Sequence, residues 1–285
     1  MRTLLAEAAR RLAEAGVESP RVDAELLLAA VLDVPRARLL TLDHVPEDLA
    51  ARFAGLLDQR ASRVPLQHLT GSAPFRHLEL AVGPGVFVPR PETELIAGWV
   101  LDRIAGLPAP TVVDLGSGSG AIALSVADEH PGARVVAVER DAGAIEWTRH
   151  NAATRTAAGD TPIAVLSGDM TDPGLLRELD GAVDVVVSNP PYVPDGARLP
   201  REVADHDPPL ALWGGPDGLD VVRGLLVTAA RLLRPGGWLG IEHADQQGSA
   251  LPALVSGTGD FTDVADHLDL AGRPRFTTAR RTTRD

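Results

Sequence analysis

The chain contains 285 residues and carries a formal net charge of −12 at pH 7. This acidic balance argues against a nucleic-acid partner held mainly through its phosphates. The sequence has no cysteine, which excludes disulfides, thiolate catalysis and cysteine-ligated metals and is compatible with a cytoplasmic protein. Its histidines form no metal-ligand cluster, and no apolar run approaches the ~18–20 residues that cross a bilayer, so we expect neither a metal nor a membrane partner.

Residues 1–64 are predicted to form a small helical bundle. Apolar residues recur at helical spacing in three stretches, 4–15, 24–32 and 49–57. Pro20 and Pro46 favour the first turns of helices, and Pro35 begins a short helix between them. The segment contains no residues that suggest catalytic chemistry, so it is interpreted as either a partner-recognition module or a structural cap.

The next segment, residues 65–90, is predicted to be a β-hairpin linker. Prolines and glycines divide it into short pieces, of which Leu78–Val82 has the pattern of a strand. Pro91 and the acids after it favour the start of a helix that continues to Ile104. That helix opens a catalytic domain that we expect to span residues 91–285.

Two residues at the start of this helix, Arg90 and Thr93, are candidates to face a cleft. Capping of the helix explains the local pattern equally well. We assign Arg90 to substrate binding as a hypothesis.

A strand, a glycine-rich turn and a helix follow one another over residues 111–127. Glycines let the backbone approach a ligand closely, and a helix N-terminus adds hydrogen-bond donors. We therefore predict that this turn binds a cofactor, through Gly116, Ser117, Gly118, Ser119 and Gly120. The next strand ends in Glu139, about 20 residues past the last glycine, where an acid can hold two ribose hydroxyls.

The turn leaves two classes of cofactor open. Gly116, Gly118 and Ala121 fit the relaxed dinucleotide fingerprint, so an NAD enzyme is one alternative. The G-x-G-x-G spacing favours S-adenosylmethionine instead, and so does Asp114, which precedes the glycines where an acid can meet the positively charged methionine part.

A third predicted strand, residues 163–166, is followed by Asp169 and Met170. Asp169 can accept a hydrogen bond from an adenine amino group, and Met170 can cover the face of the ring. Both residues are therefore assigned to the S-adenosylmethionine site, with a simple turn residue as the alternative for Asp169.

The most specific signal is Ser-Asn-Pro-Pro-Tyr at 188–192, directly after the apolar run 183–187. The run predicts a strand buried on both faces of a parallel sheet, and the prolines end it at the edge where open α/β sheets bind ligands. The amide oxygen of Asn189 and the carbonyl of Pro190 can accept from both N–H bonds of a planar NH2 group. Tyr192 offers an aromatic face.

We therefore predict catalytic roles for Asn189, Pro190 and Tyr192, with Pro191 also lining the substrate site. Asn189 is assigned to the cofactor site as well. A proline turn capped by Asn189 is the structural alternative.

Two motifs together indicate a family. Asp-Leu-Gly-Ser-Gly-Ser-Gly at 114–120 with Asn-Pro-Pro-Tyr at 189–192 resembles a class I methyltransferase that acts on a planar nitrogen. Residues 87–94, the helical N-terminus, Ile241-Glu242-His243 and Gln246-Gln247-Gly248 resemble the HemK/PrmC family of peptide chain release factor N5-glutamine methyltransferases. The resemblance extends over nearly the whole chain.

The resemblance implies a fold, a reaction and a partner. The fold is α/β: a class I SAM-dependent methyltransferase domain, Rossmann-like with a seven-stranded sheet, preceded by a small N-terminal helical bundle. The reaction transfers a methyl group from S-adenosylmethionine to the side-chain amide of the glutamine in the Gly-Gly-Gln loop of class 1 release factors and leaves S-adenosylhomocysteine. The bundle would help to dock the release factor, and we expect a monomer.

Three other functions stay open at this point. A ribosomal-protein glutamine methyltransferase shares the core motifs. A nucleic-acid adenine N6 methyltransferase also uses Asn-Pro-Pro-Tyr, but the net charge and the lack of a basic, aromatic-interleaved domain weigh against it. The last alternative is a cofactor-binding protein without catalysis, which the intact motif disfavours.

The end of the chain is predicted to close the sheet with two antiparallel strands, at 264–268 and 276–279. A turn is predicted at 234–237, before a strand at 238–242. The arginine-rich residues after 279 are predicted to form a frayed tail.

Overall fold

The structure is a computed structural model that describes residues 1–283. In chain order its α-helices are α1 Arg2–Glu14, α2 Pro20–Leu32, α3 Glu47–Ala61, α4 Leu66–Thr70, α5 Thr93–Ile104, α6 Ala121–Glu129, α7 Ala142–Ala157, α8 Arg201–His206, α9 Asp220–Leu232 and α10 Ala250–Gly257. Its strands are β1 Ser72–Phe75, β2 Leu78–Ala81, β3 Thr111–Leu115, β4 Arg134–Glu139, β5 Ala164–Ser167, β6 Val183–Ser188, β7 Leu233–Glu242, β8 Phe261–Leu268 and β9 Pro274–Arg281.

These elements divide into two compact units. The first unit comprises Met1–Ser72, Val82–Pro84 and Leu199–Asp207. The second comprises Ala73–Ala81, Gly85–Arg198 and the chain from Pro208 onward. The chain therefore returns to the first unit twice after leaving it.

The first unit contains the helices predicted for residues 1–64, and it extends beyond them to residues 65–72, 82–84 and 199–207. Apolar faces of α1, α2 and α3 meet in a core whose fully buried side chains are Leu12, Leu27, Leu28 and Phe53. Pro20 occupies the first turn of α2, where its missing N–H costs no helical hydrogen bond. The short helix expected after Pro35 is a 3-10 helix, Arg36–Thr41.

A buried ion-pair network centred on Arg60 holds this unit together. Arg60 is 5% exposed, and it donates to a carboxylate oxygen of Asp23 at 2.7 Å and to one of Glu202 at 2.9 Å. A third donor reaches the carbonyl of Val64 at 3.0 Å. Since Glu202 lies in α8, the segment 199–207 is fixed to the helices that carry Asp23 and Arg60.

The second unit is built on a seven-stranded sheet with the order β5-β4-β3-β6-β7-β9-β8. The strands from β5 to β7 pair in parallel, whereas β9 is antiparallel to both β7 and β8. The order reverses between β3 and β6, and a reversal of this kind opens a crevice at the carboxyl ends of the strands. The predicted doubly wound sheet and its closing antiparallel pair are confirmed.

Helices cover both faces of the sheet. Successive side chains of a strand point to opposite sides, so each strand contributes to the core on both faces. Val113 and Val186 join one apolar core, which also contains α9. Val112 and Val185, their neighbours along the strands, join the core on the other face with α5 and α6. Strands that are buried in this way place their loops, rather than their own residues, in contact with ligand.

Three local predictions need correction. The linker contains the short helix α4 in addition to its two strands. The turn predicted at 234–237 lies inside β7, where Gly236 has a φ of +76° and the pairing with β6 changes register, so these turn-forming residues make a bulge. Arg280 and Arg281 belong to β9 rather than to a tail, and the last two residues of the predicted tail lie outside the described residues.

None of the helices in residues 1–283 is both long enough and apolar enough to cross a membrane. The same part of the chain contains no group of histidine and acidic side chains arranged to hold a metal ion.

Candidate active site

The candidate site lies along the edge where β3, β4, β5, β6 and β7 end. These strands run parallel, so the residues that follow them meet at one edge of the sheet. The sequence predicts site residues after the first four strands, and the structure brings all of these positions to this edge. The fifth strand, β7, ends in Glu242, to which the sequence analysis gave no role.

The glycine turn after β3 has the shape that the spacing predicts. Gly116, Gly118 and Gly120 all have positive φ, at +83°, +57° and +86°. A side chain on Gly116 would place its Cβ 2.7 Å from the terminal methyl of Met170, so this position requires glycine for space as well as for conformation. Gly120 then starts α6 as its N-cap residue.

Helix α7 braces this turn, which the sequence analysis did not anticipate. The hydroxyl of Thr148 donates to the carbonyl of Gly118 at 2.6 Å and lies 3.3 Å from that of Ser117. Asn151, one turn further along α7, bonds to the carbonyl of Ser119. The helix begins at Asp141, whose carboxylate caps it by accepting from two backbone N–H groups; this acid directly before a helix was the available sequence signal.

Asp114 is a buried acid with one unpartnered oxygen. It is 1% exposed, and its Oδ2 accepts from the backbone N–H of Ala123 at 3.2 Å. Its Oδ1 has no hydrogen-bond partner among residues 1–283. Burial raises the pKa of Asp114 to about 7, helped by the charge of Glu139. A buried carboxylate with a free oxygen is suited to meet a cation.

Glu139 ends β4 beside the same turn. One carboxylate oxygen accepts from the backbone N–H of Gly118 at 2.9 Å, and the other accepts from those of Arg140 and Asp141. These bonds fix the direction of the carboxylate, and the oxygen that accepts from Gly118 still has a lone pair for a ligand hydroxyl.

Asp169 and Met170 follow β5, as predicted. Asp169 accepts from the backbone and hydroxyl of Thr171 and pairs with Arg140 at 3.2 Å. Although burial opposes it, these hydrogen bonds hold the pKa of Asp169 below its usual value. Met170 is 7% exposed and packs its methyl against Gly116. The roles of both residues toward adenine stay predictions.

The Asn-Pro-Pro-Tyr motif directly follows β6 and adjoins the glycine turn. The hydroxyl of Ser188 donates to the carbonyl of Leu115 at 2.5 Å, which ties the end of β6 to the end of β3. The backbone oxygen of Asn189 lies 3.9 Å from the position of a Cβ on Gly116. The predicted cofactor turn and the predicted catalytic residue are thus neighbours.

The side chain of Asn189 is held by Thr93. Its amide nitrogen donates to the hydroxyl oxygen of Thr93 at 3.2 Å. An amide that donates in this way turns its oxygen away from Thr93. Asn189 is half-buried rather than enclosed in the core, and its role as an acceptor for a ligand stays a prediction.

The backbone of the motif is fixed from the opposite side. Gln247 donates its side-chain amide to the carbonyl of Tyr192 and to that of Asp217, each at 3.1 Å. Gly218 approaches so closely that a Cβ there would lie 2.2 Å from the same Tyr192 oxygen. The two prolines and these contacts make the motif a rigid loop.

Arg90 lies before α5, with its guanidinium 4.9 Å from the ring centre of Phe87. Its charge acts on Tyr192, so it belongs to the surroundings of the motif. Burial, together with the charge of Glu242, raises the pKa of the Tyr192 hydroxyl far above its usual value. Tyr192 therefore stays protonated and can donate a hydrogen bond at neutral pH.

Comparisons with solved structures identify the fold. A methyltransferase from Pyrococcus furiosus superposes with a TM-score of 0.53 at 17% identity, covering 79% of this chain and 100% of that one. A T. thermophilus 16S rRNA methyltransferase in complex with AdoMet and guanosine superposes with a TM-score of 0.52 at 23% identity, covering 74% and 49%. The second unit accordingly has the class I SAM-dependent methyltransferase fold.

Comparisons of sequence are more specific. A family model described as PrmC N-terminal domain matches residues 3–71, and one described as methyltransferase small domain matches residues 77–204. Release factor glutamine methyltransferases from Mycolicibacterium smegmatis and Streptomyces coelicolor are each 50% identical to this chain, over 100% and 97% of it and over 99% and 96% of their own lengths. The chain belongs to the release factor glutamine methyltransferase family.

Proposed function

We propose that the protein transfers a methyl group from S-adenosylmethionine to the side-chain amide nitrogen of the glutamine in the Gly-Gly-Gln motif of class 1 peptide release factors. The observation that carries this proposal is the position of Asn189. Thr93 holds its amide nitrogen, so its oxygen points away from Thr93, and the backbone oxygen of the same residue adjoins the glycine turn. Relatives that are 41–50% identical over 97–100% of this chain are named release factor glutamine methyltransferases.

The residues after β3 and β4 suit S-adenosylmethionine. The buried Oδ1 of Asp114, which has no hydrogen-bond partner in residues 1–283, matches the positive charge of the methionine part. Gly116 lets the backbone approach closely, and Glu139 presents a carboxylate of fixed direction for ribose hydroxyls. When bound, S-adenosylmethionine supplies an electrophilic methyl group on a positively charged sulfur.

The Asn-Pro-Pro-Tyr motif has to promote attack by an amide nitrogen, which is a poor nucleophile. The lone pair of an amide nitrogen is delocalised into its carbonyl, so the free amide attacks weakly. Two acceptors, the Asn189 oxygen and the Pro190 carbonyl, can hold both N–H bonds and so orient the nitrogen. Positioning of this kind contributes up to ~7–11 kcal/mol to lowering a barrier.

The chemistry then balances without a strong base. The nitrogen forms one bond to the methyl carbon as that carbon's bond to sulfur breaks, which would leave S-adenosylhomocysteine. The methylated nitrogen is acidic, and it afterwards loses one proton to water. Tyr192 lines the pocket with its ring, and its raised pKa keeps its hydroxyl proton in place.

Mass spectrometry provides the direct test. A purified class 1 release factor is incubated with the protein and S-adenosylmethionine, and its Gly-Gly-Gln peptide is examined for the mass gain of one CH2 group. We expect the gain on the glutamine, and we expect Asn189→Ala to lose most turnover while it still binds the cofactor in calorimetry. A wild-type rate for Asn189→Ala would contradict the role of this residue.

The same assay separates the alternatives. Ribosomal proteins and adenine-containing DNA are offered in place of the release factor. Methylation of either one, with an unmodified release factor, would replace the proposed substrate. Cofactor binding without transfer to any of the three would indicate a non-catalytic protein.

The proposal also implies a cellular location and an oligomeric state. Release factors act on cytoplasmic ribosomes, so the reaction takes place in the cytoplasm. The chain carries its own glycine turn and catalytic motif in one unit, so a monomer suffices for chemistry.

A further inference from the structure

Glu242 is a buried acid at the end of β7, at the same sheet edge as the catalytic motif. It is 2% exposed, and its Oε2 has no hydrogen-bond partner among the described residues. The hydroxyl groups of Thr93 and Tyr192 lie close enough to its carboxyl group to lower its pKa. These two neighbours are the residue that holds Asn189 and the aromatic residue of the motif.

We propose that Glu242 is a positioning residue for methyl transfer: through Thr93 it sets the orientation of the Asn189 amide, and it directly fixes the hydroxyl of Tyr192. The proposal rests on the proposed function, since it concerns the residues that hold the substrate amide. Glu242 itself does not touch the substrate.

The direction of each hydrogen bond in this chain follows from the charge of Glu242. A hydroxyl has one proton to donate. When Thr93 donates that proton to the carboxylate, only its lone pairs face Asn189, so Asn189 must present its NH2 group. The amide oxygen of Asn189 is thereby turned toward the substrate side.

An amide in place of the carboxylate removes this constraint. A glutamine at 242 can donate to the Thr93 hydroxyl, which can then donate its own proton onward. Asn189 could then face Thr93 with its oxygen and present NH2, a donor, where the substrate nitrogen needs an acceptor. The ionised carboxylate is therefore what selects the productive orientation.

A purely structural role is the alternative. Thr93 is the first residue of α5, and an acid near a helix N-terminus stabilises the helix. That role does not require Tyr192 as a second partner. It also does not explain why the carboxylate is buried with an unpartnered oxygen, because burial of such a group costs free energy that capping a helix does not require.

Charged groups from several elements surround Glu242. Burial raises the pKa of Glu242 to about 7, and Glu92, before α5, raises it further. The hydroxyl of Thr93 and the guanidinium of Arg275, in β9, oppose this shift. Arg275 is itself paired with Asp269 at 3.1 Å, so it does not neutralise Glu242 alone.

Two substitutions of nearly unchanged size test the proposal, Glu242→Gln and Thr93→Val. Release factor methylation gives kcat and KM, calorimetry gives the Kd of S-adenosylmethionine, and thermal unfolding gives the Tm. We expect each variant to lower kcat about 10- to 100-fold, because misplacement of a catalytic group by about 1 Å has effects of this size. The cofactor Kd should stay within about 2-fold. Thr161→Val is the matched control and should keep its kcat, because this half-buried threonine precedes β5, at the opposite end of the strand from the site edge, and its hydroxyl donates to the carbonyl of Pro131.

Three results distinguish positioning from a structural role. The double variant should be no slower than the slower single variant, because both substitutions break one chain of hydrogen bonds. The wild-type kcat should fall below about pH 7, and Glu242→Gln should lose this limb of the profile. Three outcomes would each overturn the proposal: losses of kcat that add up in the double variant, a pH profile of Glu242→Gln that matches the wild type, or a wild-type kcat in Glu242→Gln.

A measurement without turnover completes the test. In wild type, NMR should show the Asn189 side-chain NH2 protected from hydrogen exchange by its bond to buried Thr93, and Glu242→Gln should remove the protection. If the wild type leaves every release factor unmodified, the proposed function fails and this measurement alone decides the inference. Unchanged protection in Glu242→Gln would overturn it.

Discussion

Asn151 joins the cofactor turn to the β-hairpin through one side chain. Its amide nitrogen donates to the carbonyl of Ser119 at 2.9 Å and to that of Ala81 at 3.0 Å, and its oxygen accepts from the backbone N–H of Ala81 at 2.8 Å. Asn151 is 3% exposed, so water cannot replace these bonds. The hairpin, which has no chemistry of its own, therefore helps to hold the turn in place.

The first prediction follows from these bonds. Asn151→Ala leaves three buried backbone groups without a partner, and each unsatisfied group costs about 1–3 kcal/mol. We expect a loss of about 2–4 kcal/mol in the free energy of unfolding, together with weaker binding of S-adenosylmethionine. Urea denaturation and calorimetry measure the two effects. Gln59→Ala, on the exposed face of α3, is the control and should change neither.

The second prediction concerns the pH dependence of stability. Because burial raises the pKa of Asp114 to about 7, the folded protein binds this proton more tightly than the unfolded chain does. The free energy of unfolding therefore decreases as pH rises from the unfolded pKa, near 4, through 7. Asp114→Asn removes this contribution.

In the absence of cofactor, Asp114→Asn should gain about 2–3 kcal/mol over wild type between pH 5 and pH 8. Denaturation curves at several pH values measure the difference. The variant should bind S-adenosylmethionine at least about 10-fold more weakly, since the anion is lost. A stability difference that does not vary with pH would show that Asp114 stays ionised in the folded protein.

The third prediction uses two glycines with the same backbone conformation. Gly218 and Gly196 have φ values of +76° and +77°, so alanine is strained at both. Only at Gly218 would the new Cβ collide, 2.2 Å from the carbonyl of Tyr192 and 2.6 Å from the amide of Gln247. Gly218→Ala should displace the motif and reduce kcat at least about 10-fold.

Gly196→Ala isolates the backbone effect. No other heavy atom of residues 1–283 would lie within 4 Å of a Cβ at this position, so the variant should lose only about 1 kcal/mol of stability, from the positive φ. Its kcat should stay near wild type. Equal losses of kcat in the two variants would mean that strain in the loop, and not contact with Tyr192, controls the rate.

The fourth prediction concerns the helical unit. Asp23→Ala removes one of the two carboxylates that pair with buried Arg60 and should destabilise this unit by about 2–3 kcal/mol, because the Nε donor of Arg60 stays buried without an acceptor. Hydrogen exchange of peptides from α2 and α3 should accelerate accordingly. Glu14→Ala breaks an exposed pair with Arg10 and should cost at most about 0.5 kcal/mol.

The sequence predicts best those parts of the fold that depend on local patterns. The apolar run 183–187 and the glycines at 116–120 place β6 and the cofactor turn correctly, because buried strands and positive φ angles demand those residue types. Arg234-Pro235-Gly236-Gly237 misleads because the same residues suit a turn and a bulge, and only pairing with β6 decides between them.

The supporting residues of the site could not be found in this way. Thr148 and Asn151 lie in a helix with no apolar stripe, and their function depends on which turn packs against them. Two α-helices and a strand separate Glu242 from Asn189 in sequence, and only the parallel register of β6 and β7 brings them together. Periodicity reports which face of an element is buried, but it does not report which polar group that face meets.

The segment 199–207 has a consequence for how the protein is made. Its helix supplies Glu202 to Arg60, yet it emerges from the ribosome only after the Asn-Pro-Pro-Tyr motif has been synthesised. The bundle therefore cannot reach its final form during early translation, and a nascent chain that ends before α8 should hold Arg60 with one carboxylate instead of two. Separating the two units by a single proteolytic cut is impossible for the same reason, because any such cut leaves part of the bundle on the other fragment.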